Sequence, residues 1–498
     1  MLATADGAIA GLLLAAPVAW TSASGTGQAL HTAVTRPNVL WVVVDDMSAN
    51  FSCYGERLIQ TPNVDRLARE GMRFSRAFTT GPVCSPSRSA MITGMYQTTI
   101  GAHNHRSGRG RLKIHLPEGV VPVPALFKQA GYYTAIGGPL VKNTKQFAKT
   151  DYNFEWDASI YDGNDWSGRK PGQPFFMQVQ LHGGKYRHNK NWPQRALKEL
   201  GGRTKPEDVK LPPYYPRDPV LLEDWAQYLD AVRYTDREVG EVIARLEKEG
   251  ILDQTVVIFM TDHGISHARE KQFLYDGGIH IPFIVRGPGI PRGIVRDDLI
   301  EHIDLAAVSL ALSELEVPGW MQGRNVLAKD YRRRDAVFAA RDRCDETVDR
   351  VRSVRSEQFK YIRNFYPQRS HLQPNEYKDN KEIVRRLREL HEQGSLNELQ
   401  ARLLFSPTRP EEELYDLRSD PFETRNAASD PQHQKTLNEM RGRLKGWIKE
   451  TNDRGQQPES TAMYDSDMTV YLDSPRGERL RILRDTIALM KKWAAEGK

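Results

Sequence analysis

Four apolar runs limit what this chain can fold into: "PNVLWVVVDDM" (37–47), "PFFMQVQLH" (174–182), "TVVIFMTDHG" (255–264) and "IPFIVRGPG" (281–289). Short runs that are apolar along their whole length read as strands buried on both faces, as in a parallel sheet. Three of them end in groups able to do chemistry: Asp45 and Asp46, His182, and Asp262 with His263. Ligands of open α/β sheets gather at the carboxyl ends of strands. One polar strand end is ordinarily a cap, but that explanation is poor for the whole set.

Helical patterns separate these runs. "TPNVDRLAREGMRF" (61–74) reads as a helix starting near Thr61 and stopping at Gly71. "PVPALFKQAGYYTAI" (122–136) repeats the helix–turn–strand pattern, and 222–250 is a long amphipathic helix closed by Gly250. The alternation predicts an α/β fold with a largely parallel sheet. After about residue 335 the texture changes. "AVFAARDRC" (336–344) and "RVRSVRSEQFKYIRNFY" (350–366) read as short antiparallel strands, and 379–404 as a charged helical stretch. "ELYDLRSDPFETRNAASDP" (413–431) reads as loop and "HQKTLNEMRGRLKGWIKETND" (433–453) as helix. The division expected is an α/β part over 36–335 and a smaller α+β lobe over 336–498, without internal repeats.

Composition excludes some classes of function. With 70 Lys+Arg against 64 Asp+Glu, the net charge of +6 is small for 498 residues, and no nucleic-acid motif accompanies it. Three cysteines make no disulfide framework; Cys53 and Cys344 could pair, but nothing requires it. "AIAGLLLAAPVAW" (8–20) followed by "TSASGTG" reads as a secretory apolar region and cleavage zone within 1–28, which predicts export. Asp6 stands where a basic flank is expected, and a disordered leader or a wrongly chosen start are the other readings. The run is too short to span a bilayer and no other stretch qualifies, so no stable membrane insertion is expected.

Burying Asp45, Asp46 and Asp262 is costly unless a cation compensates, and oxygen donors select Ca²⁺ or Mg²⁺. His263 is a less natural ligand for such an ion; it ligates in part or bonds to the anion. A thiol at Cys84, in "CSPSRSAMITG" (84–94), is out of place beside a hard cation. The spacing Cys-x-Pro-x-Arg, with "PNVLWVVVDD", "TPNVDRLAREG", "VPALFKQAGYYT", "TDHG" and "KQFLYDGGIHIP" in the same order, resembles the sulfatase family over nearly the whole chain after Arg36. The C-terminal "ELYDLRSDPFETRNAASDP…LKGWIKETND" resembles its sulfamidase (N-sulfoglucosamine sulfohydrolase) branch and bacterial relatives.

The resemblance implies an alkaline-phosphatase-like fold: a large, mostly parallel sheet sandwiched by helices, with a smaller C-terminal lobe, an antiparallel sheet plus helix, completing a cleft. It implies hydrolysis of sulfate esters or sulfamates on a sulfated carbohydrate. A maturation enzyme would oxidise Cys84 to formylglycine, whose hydrate offers one hydroxyl to attack sulfur and a second to expel the sulfate. It implies one metal ion, Ca²⁺ in preference to Mg²⁺, at Asp45, Asp46, residue 84, Asp262 and His263. Ser87 and Arg88 follow at a helix start that favours an anion, and Arg88 positions the formylglycine. Lys271 binds sulfate and the leaving-group oxygen, and His182 is the candidate general acid.

One element departs from the family pattern. The Lys-x-His pair expected after "GYYTAIG" is absent from "GPLVKNTKQFAKTDYNF" (138–154). Lys149-Thr150-Asp151 is the best match, with Lys142 and Lys145 as competing alignments. Asp151 then stands in the histidine's place, or His103 or His105 from "GAHNHRSG" reaches in. Asp342, Arg343, Asp345 and Glu346 are either substrate contacts of the second lobe or a charged loop. Two other readings stand beside this one: a phosphonate or phosphodiester hydrolase of the same fold, and a non-catalytic protein that binds sulfated glycans.

Overall fold

The computed structural model describes residues 36–139, 146–473 and 475–498. The leader expected over 1–28, and Lys142 and Lys145, lie outside the described residues.

The strands β1 (Asn38–Val44), β2 (Met72–Phe78), β3 (Tyr133–Gly137), β4 (Phe175–Leu181), β5 (Thr255–Thr261), β6 (His280–Arg286), β7 (Ile294–Arg296) and β8 (Ile300–Glu301) form one sheet. Its order is β3-β4-β1-β5-β6-β2-β7, with β8 beside β2. β3, β4, β1 and β5 are mutually parallel, as expected. β6 is not: it runs antiparallel to β5 and β2. The segment joining β5 to β6 stays at the carboxyl end of β5 instead of crossing the sheet, so the chain re-enters from that end.

Both faces of this sheet are covered, which is why β1 is apolar throughout. Leu40, Val42 and Val44 enter a core shared with α5 (Pro219–Lys248), while Val39, Trp41 and Val43 enter one shared with α2 (Cys84–Thr93), α3 (Val123–Gln129) and α7 (Asp304–Leu312). Trp41, fully buried, donates its indole N–H to Ser309 Oγ at 2.8 Å. Each such apolar side chain stabilises the fold by about 1.5–3 kcal/mol on burial. α1 (Pro62–Glu70) starts after Thr61 and stops before Gly71, as the sequence predicts.

The second sheet, β9 (Val337–Arg341), β10 (Val351–Arg355), β11 (Phe359–Asn364) and β12 (Glu412–Asp416), is antiparallel in the order β12-β11-β10-β9. Helices α8 (Glu376–Asp379), α9 (Glu382–Glu392) and α10 (Glu398–Phe405) lie between β11 and β12, and α11 (Gln434–Glu450) follows. Leu437, Met440, Leu444 and Trp447 of α11 share a core with Val354, Tyr361 and Leu414 of the sheet and with Ala90 of α2. The loop expected from residue 413 is therefore a strand at its start. Its ladder with β11 buries Leu414 and Tyr415, too short an apolar signal to show in sequence. All three cysteines are free, so Cys53 and Cys344 do not pair.

Candidate active site

Cys84 is the first residue of α2, a helix buried along its whole length. Three serines of the motif tie other segments to it. Ser85 Oγ accepts the Arg106 amide at 2.8 Å, Ser89 Oγ accepts the Asn153 amide at 2.9 Å, and Ser87 donates to the Asp262 carbonyl at 2.6 Å. These bonds satisfy polar groups that burial would otherwise leave unpaired. They also bring the loops of His105 and Asp151 to the helix.

Parallel pairing supplies the opposite wall. Val44 lies level with Leu181 of β4 and Thr261 of β5, so Asp45, His182 and Asp262 all start one step beyond the same row. Two glycines then turn the chain after His182. A Cβ on Gly183 would stand 2.2 Å from the Asp45 carbonyl oxygen, and one on Gly184 2.1 Å from that of Asp46. Only glycine lets the backbone approach so closely, and the turn delivers Lys185.

Cys84 Sγ lies 3.3 Å from His263 Nε2 and 3.7 Å from Asp45 Oδ1. Lys271 Nζ lies 3.2 Å from Sγ and 2.6 Å from Asp46 Oδ1. Lys149 and Lys185 each reach Asp45 Oδ2 at 2.6 Å, and Lys185 stands 4.0 Å from Sγ. Burial opposes thiolate formation at Cys84, but Lys149, Lys185 and Lys271 outweigh it and hold the thiol well below its usual range. Burial likewise opposes ionisation of Asp45 and Asp46, and the lysines outweigh it in both cases. Asp262 is raised by burial and by the charge of Asp45.

The ligand atoms of Asp45, Asp46, Cys84 and His263 lie within 4.8 Å of one another. Asp262 stands beside them, its Oδ1 3.4 Å from His263 Nε2. His263 Nδ1 donates to the Gly264 carbonyl at 2.9 Å, which turns Nε2 toward the acids. Asp46 Oδ2 is buried and has no hydrogen-bond partner. Crowded carboxylates with an orphaned oxygen fit a hard cation.

The other candidates divide. Asp151 and His105 form a second set with Cys84, their ligand atoms also within 4.8 Å of one another. His105 Nδ1 is 2.9 Å from Asp345 Oδ1, and Asp151 Oδ2 is 3.3 Å from Lys149 Nζ. So Lys149-Thr150-Asp151 does reach the site, and of the two histidines it is His105 that does. His103 turns away into a cavity of about 670 Å³ shared with Asp342 and Arg343. Arg343 pairs with Glu459 and Asp467 at 2.6 Å, and Asp342 with Arg352 at 3.1 Å. Neither touches Cys84; each belongs to a buried ion pair of the C-terminal segment. Glu346 accepts the Glu376 amide at 2.6 Å. His182 is exposed, its ring edge-on to Tyr186 at 4.9 Å, with no hydrogen bond to Cys84 or the acids.

Lys185 is the residue that sequence reasoning missed. The signal for it was the Gly183-Gly184 pair, which brings a side chain four positions past the strand end inward. Backbone strain marks the same place. Asp46, Arg106, Asp151, Gln272 and Asp345 all have φ between 53° and 76°, a region that costs non-glycine residues energy and that concentrates at functional sites.

The sulfatase family profile matches residues 37–315, and that of the "N-sulphoglucosamine sulphohydrolase, C-terminal" region matches 263–405. An ulvan-active sulfatase of Formosa agariphila is 31% identical over 471 residues, covering 85% of this chain and 77% of its own. Human N-sulphoglucosamine sulphohydrolase is 28% identical, with 84% of this chain and 91% of its own covered. The chain belongs to the sulfatase family, with a sulfamidase-like C-terminal region, and is a sulfatase. A solved structure in complex with its substrate D-glucosamine-2-N,6-O-disulfate has the same fold, at a TM-score of 0.58 and 19% identity over 85% of this chain and 100% of the other.

Proposed function

We propose that this sulfatase removes sulfate from a sulfated carbohydrate, as an O-sulfate ester or an N-sulfate, with residue 84 matured to formylglycine and Ca²⁺ at Asp45, Asp46, Asp262 and His263. The observation that carries the reading is the cluster at the first residue of α2: Lys271 reaches Cys84 and Asp46, Lys149 and Lys185 reach Asp45, and Asp46 keeps an orphaned oxygen. When bound, the ion would supply Lewis acidity and the matured residue the nucleophile.

The chain's own residues have separable tasks. Lys271, Lys149 and Lys185 place positive charge where the sulfate oxygens gather. Arg88, bonded to Asp262 and Gln180, holds the floor of the site rigid. His105, oriented by Asp345, and Asp151, oriented by Arg109 with Lys149 beside it, are placed to take a proton from residue 84. Cys84 is only 4% exposed, so the maturation enzyme must reach it before the fold closes. Export fits the apolar leader; among the described residues no helix is long and apolar enough to cross a membrane.

The test is mass spectrometry of the peptide carrying residue 84, from protein made in its own host, followed by assays of sulfated glucosamines and ulvan fragments. Formylglycine with release of free sulfate is expected, and newly exposed amine identifies N-sulfate cleavage. Unmodified cysteine in all molecules, with no sulfate released, overturns the reading.

A further inference from the structure

The surface beyond Lys271 carries a second lysine that the reaction does not use, Lys381. α8 is pinned to the loop of Lys271, because Lys378 Nζ donates to the carbonyls of His267 and Ala268 at 2.8 and 3.0 Å. That docking sets Tyr377 beside the site, with its hydroxyl 3.0 Å from Ser266 Oγ and its ring 5.0 Å from Lys271 Nζ. Lys381, four residues on, stands over the same ring at 4.7 Å and bonds to His188 Nε2 at 2.7 Å. His188 lies three residues past Lys185 and is exposed.

Among the described residues Lys381 forms no ion pair. The acids nearest in charge to it, Asp46 and Asp224, are held by Lys271 at 2.6 Å and Arg187 at 3.3 Å. Lys381 also sits at the N-cap of α9, where no side chain caps the helix. Burial and the nearby Arg187 hold Lys381 well below the usual lysine range. Without a counter-ion, and on an aromatic ring shared with Lys271, it is suited to a ligand's negative charge, which would favour its ammonium form.

We propose that Lys381 and His188, with Tyr377 as the platform between them and Lys271, form a second anion subsite. It holds a carboxylate or a further sulfate on the same or the next sugar while the scissile sulfate faces Cys84. The proposal rests on the carbohydrate sulfatase reading and extends it: the preferred substrate carries at least two negative groups.

The test compares Lys381→Met, Lys381→Arg and the parent, all matured, on three substrates: an aryl monosulfate, a doubly sulfated glucosamine, and a monosulfated disaccharide with a uronate. Losing a charge-assisted contact costs roughly 10- to 100-fold. Lys381→Met is expected to lose that much kcat/KM, mostly through KM, on one or both of the doubly charged substrates. Whichever falls tells carboxylate from sulfate. The aryl monosulfate should be unaffected, and Lys381→Arg should restore most of the loss. An equal loss on all three substrates, or no loss on any, overturns the subsite. Failure of the parent to turn over the aryl sulfate strikes the sulfatase chemistry instead. Affinity of a Cys84→Ala protein for the doubly sulfated sugar, with and without Lys381→Met, gives a readout independent of turnover; equal affinities overturn the subsite as well.

Discussion

Arg88 donates its Nε–H to Asp262 Oδ2 at 2.9 Å, and both side chains are sealed from water. Removing one partner of such a pair leaves a charge that the interior cannot solvate. Arg88→Ala should therefore lose about 3–5 kcal/mol of stability as well as activity. Arg88→Lys keeps the charge but not the fork shared with Gln180, and should lose less. Urea unfolding measures both, and an alanine variant as stable as the parent contradicts the structural role.

Asp46 Oδ2, buried and unpartnered, makes a prediction about metal. After chelation, added Ca²⁺ should raise the unfolding temperature; at a hundredfold excess over Kd, one site contributes about 2.7 kcal/mol. Asp46→Asn should abolish most of that rise and most activity. An equal rise in the variant would place the ion elsewhere.

His105 and Asp151 both reach Cys84, so their variants should separate proton transfer from charge placement. His105→Ala should lower kcat by about 10²-fold or more with little change in KM if His105 takes the proton. Asp151→Asn should then have the smaller effect, through its contact with Lys149. The reverse order would assign the proton to Asp151.

Glu346 predicts how stability depends on pH. Burial, with the charge of Asp345 beside it, pushes its carboxyl up to about 8 from an ordinary 4.5. The folded state thus binds this proton more tightly than the unfolded chain. Its contribution is complete below pH 4.5 and is lost as pH rises through about 8. Glu346→Gln, which cannot ionise, should flatten this decline and gain on the order of 2 kcal/mol at pH 9 relative to the parent. Unfolding free energies at pH 5 and 9 decide it; an unchanged slope in the variant would show that Glu346 is already ionised.

The sequence by itself determined the parallel strands of the large sheet, the acids at their ends and the place of the Cys84 motif. Strands buried on both faces must be apolar throughout, so β1, β4 and β5 are legible as runs, and the residues that end them mark the carboxyl edge. The motif around Cys84 is local and was legible for the same reason.

What only the tertiary structure decided was which long-range partners meet. The reversed direction of β6 depends on the path of a loop, not on the strand's own residues. β12 is a strand because β11 lies beside it. His182 comes one residue past the end of its strand, and two glycines then turn Lys185 into the site while the imidazole stays exposed. His103 and His105 are indistinguishable in "GAHNHRSG", and one meets Cys84 while the other turns into a separate cavity. A side chain's direction is set by the backbone it leaves and the surface it meets, and sequence spacing carries neither across the 179 residues between Cys84 and His263 or the 187 between Cys84 and Lys271.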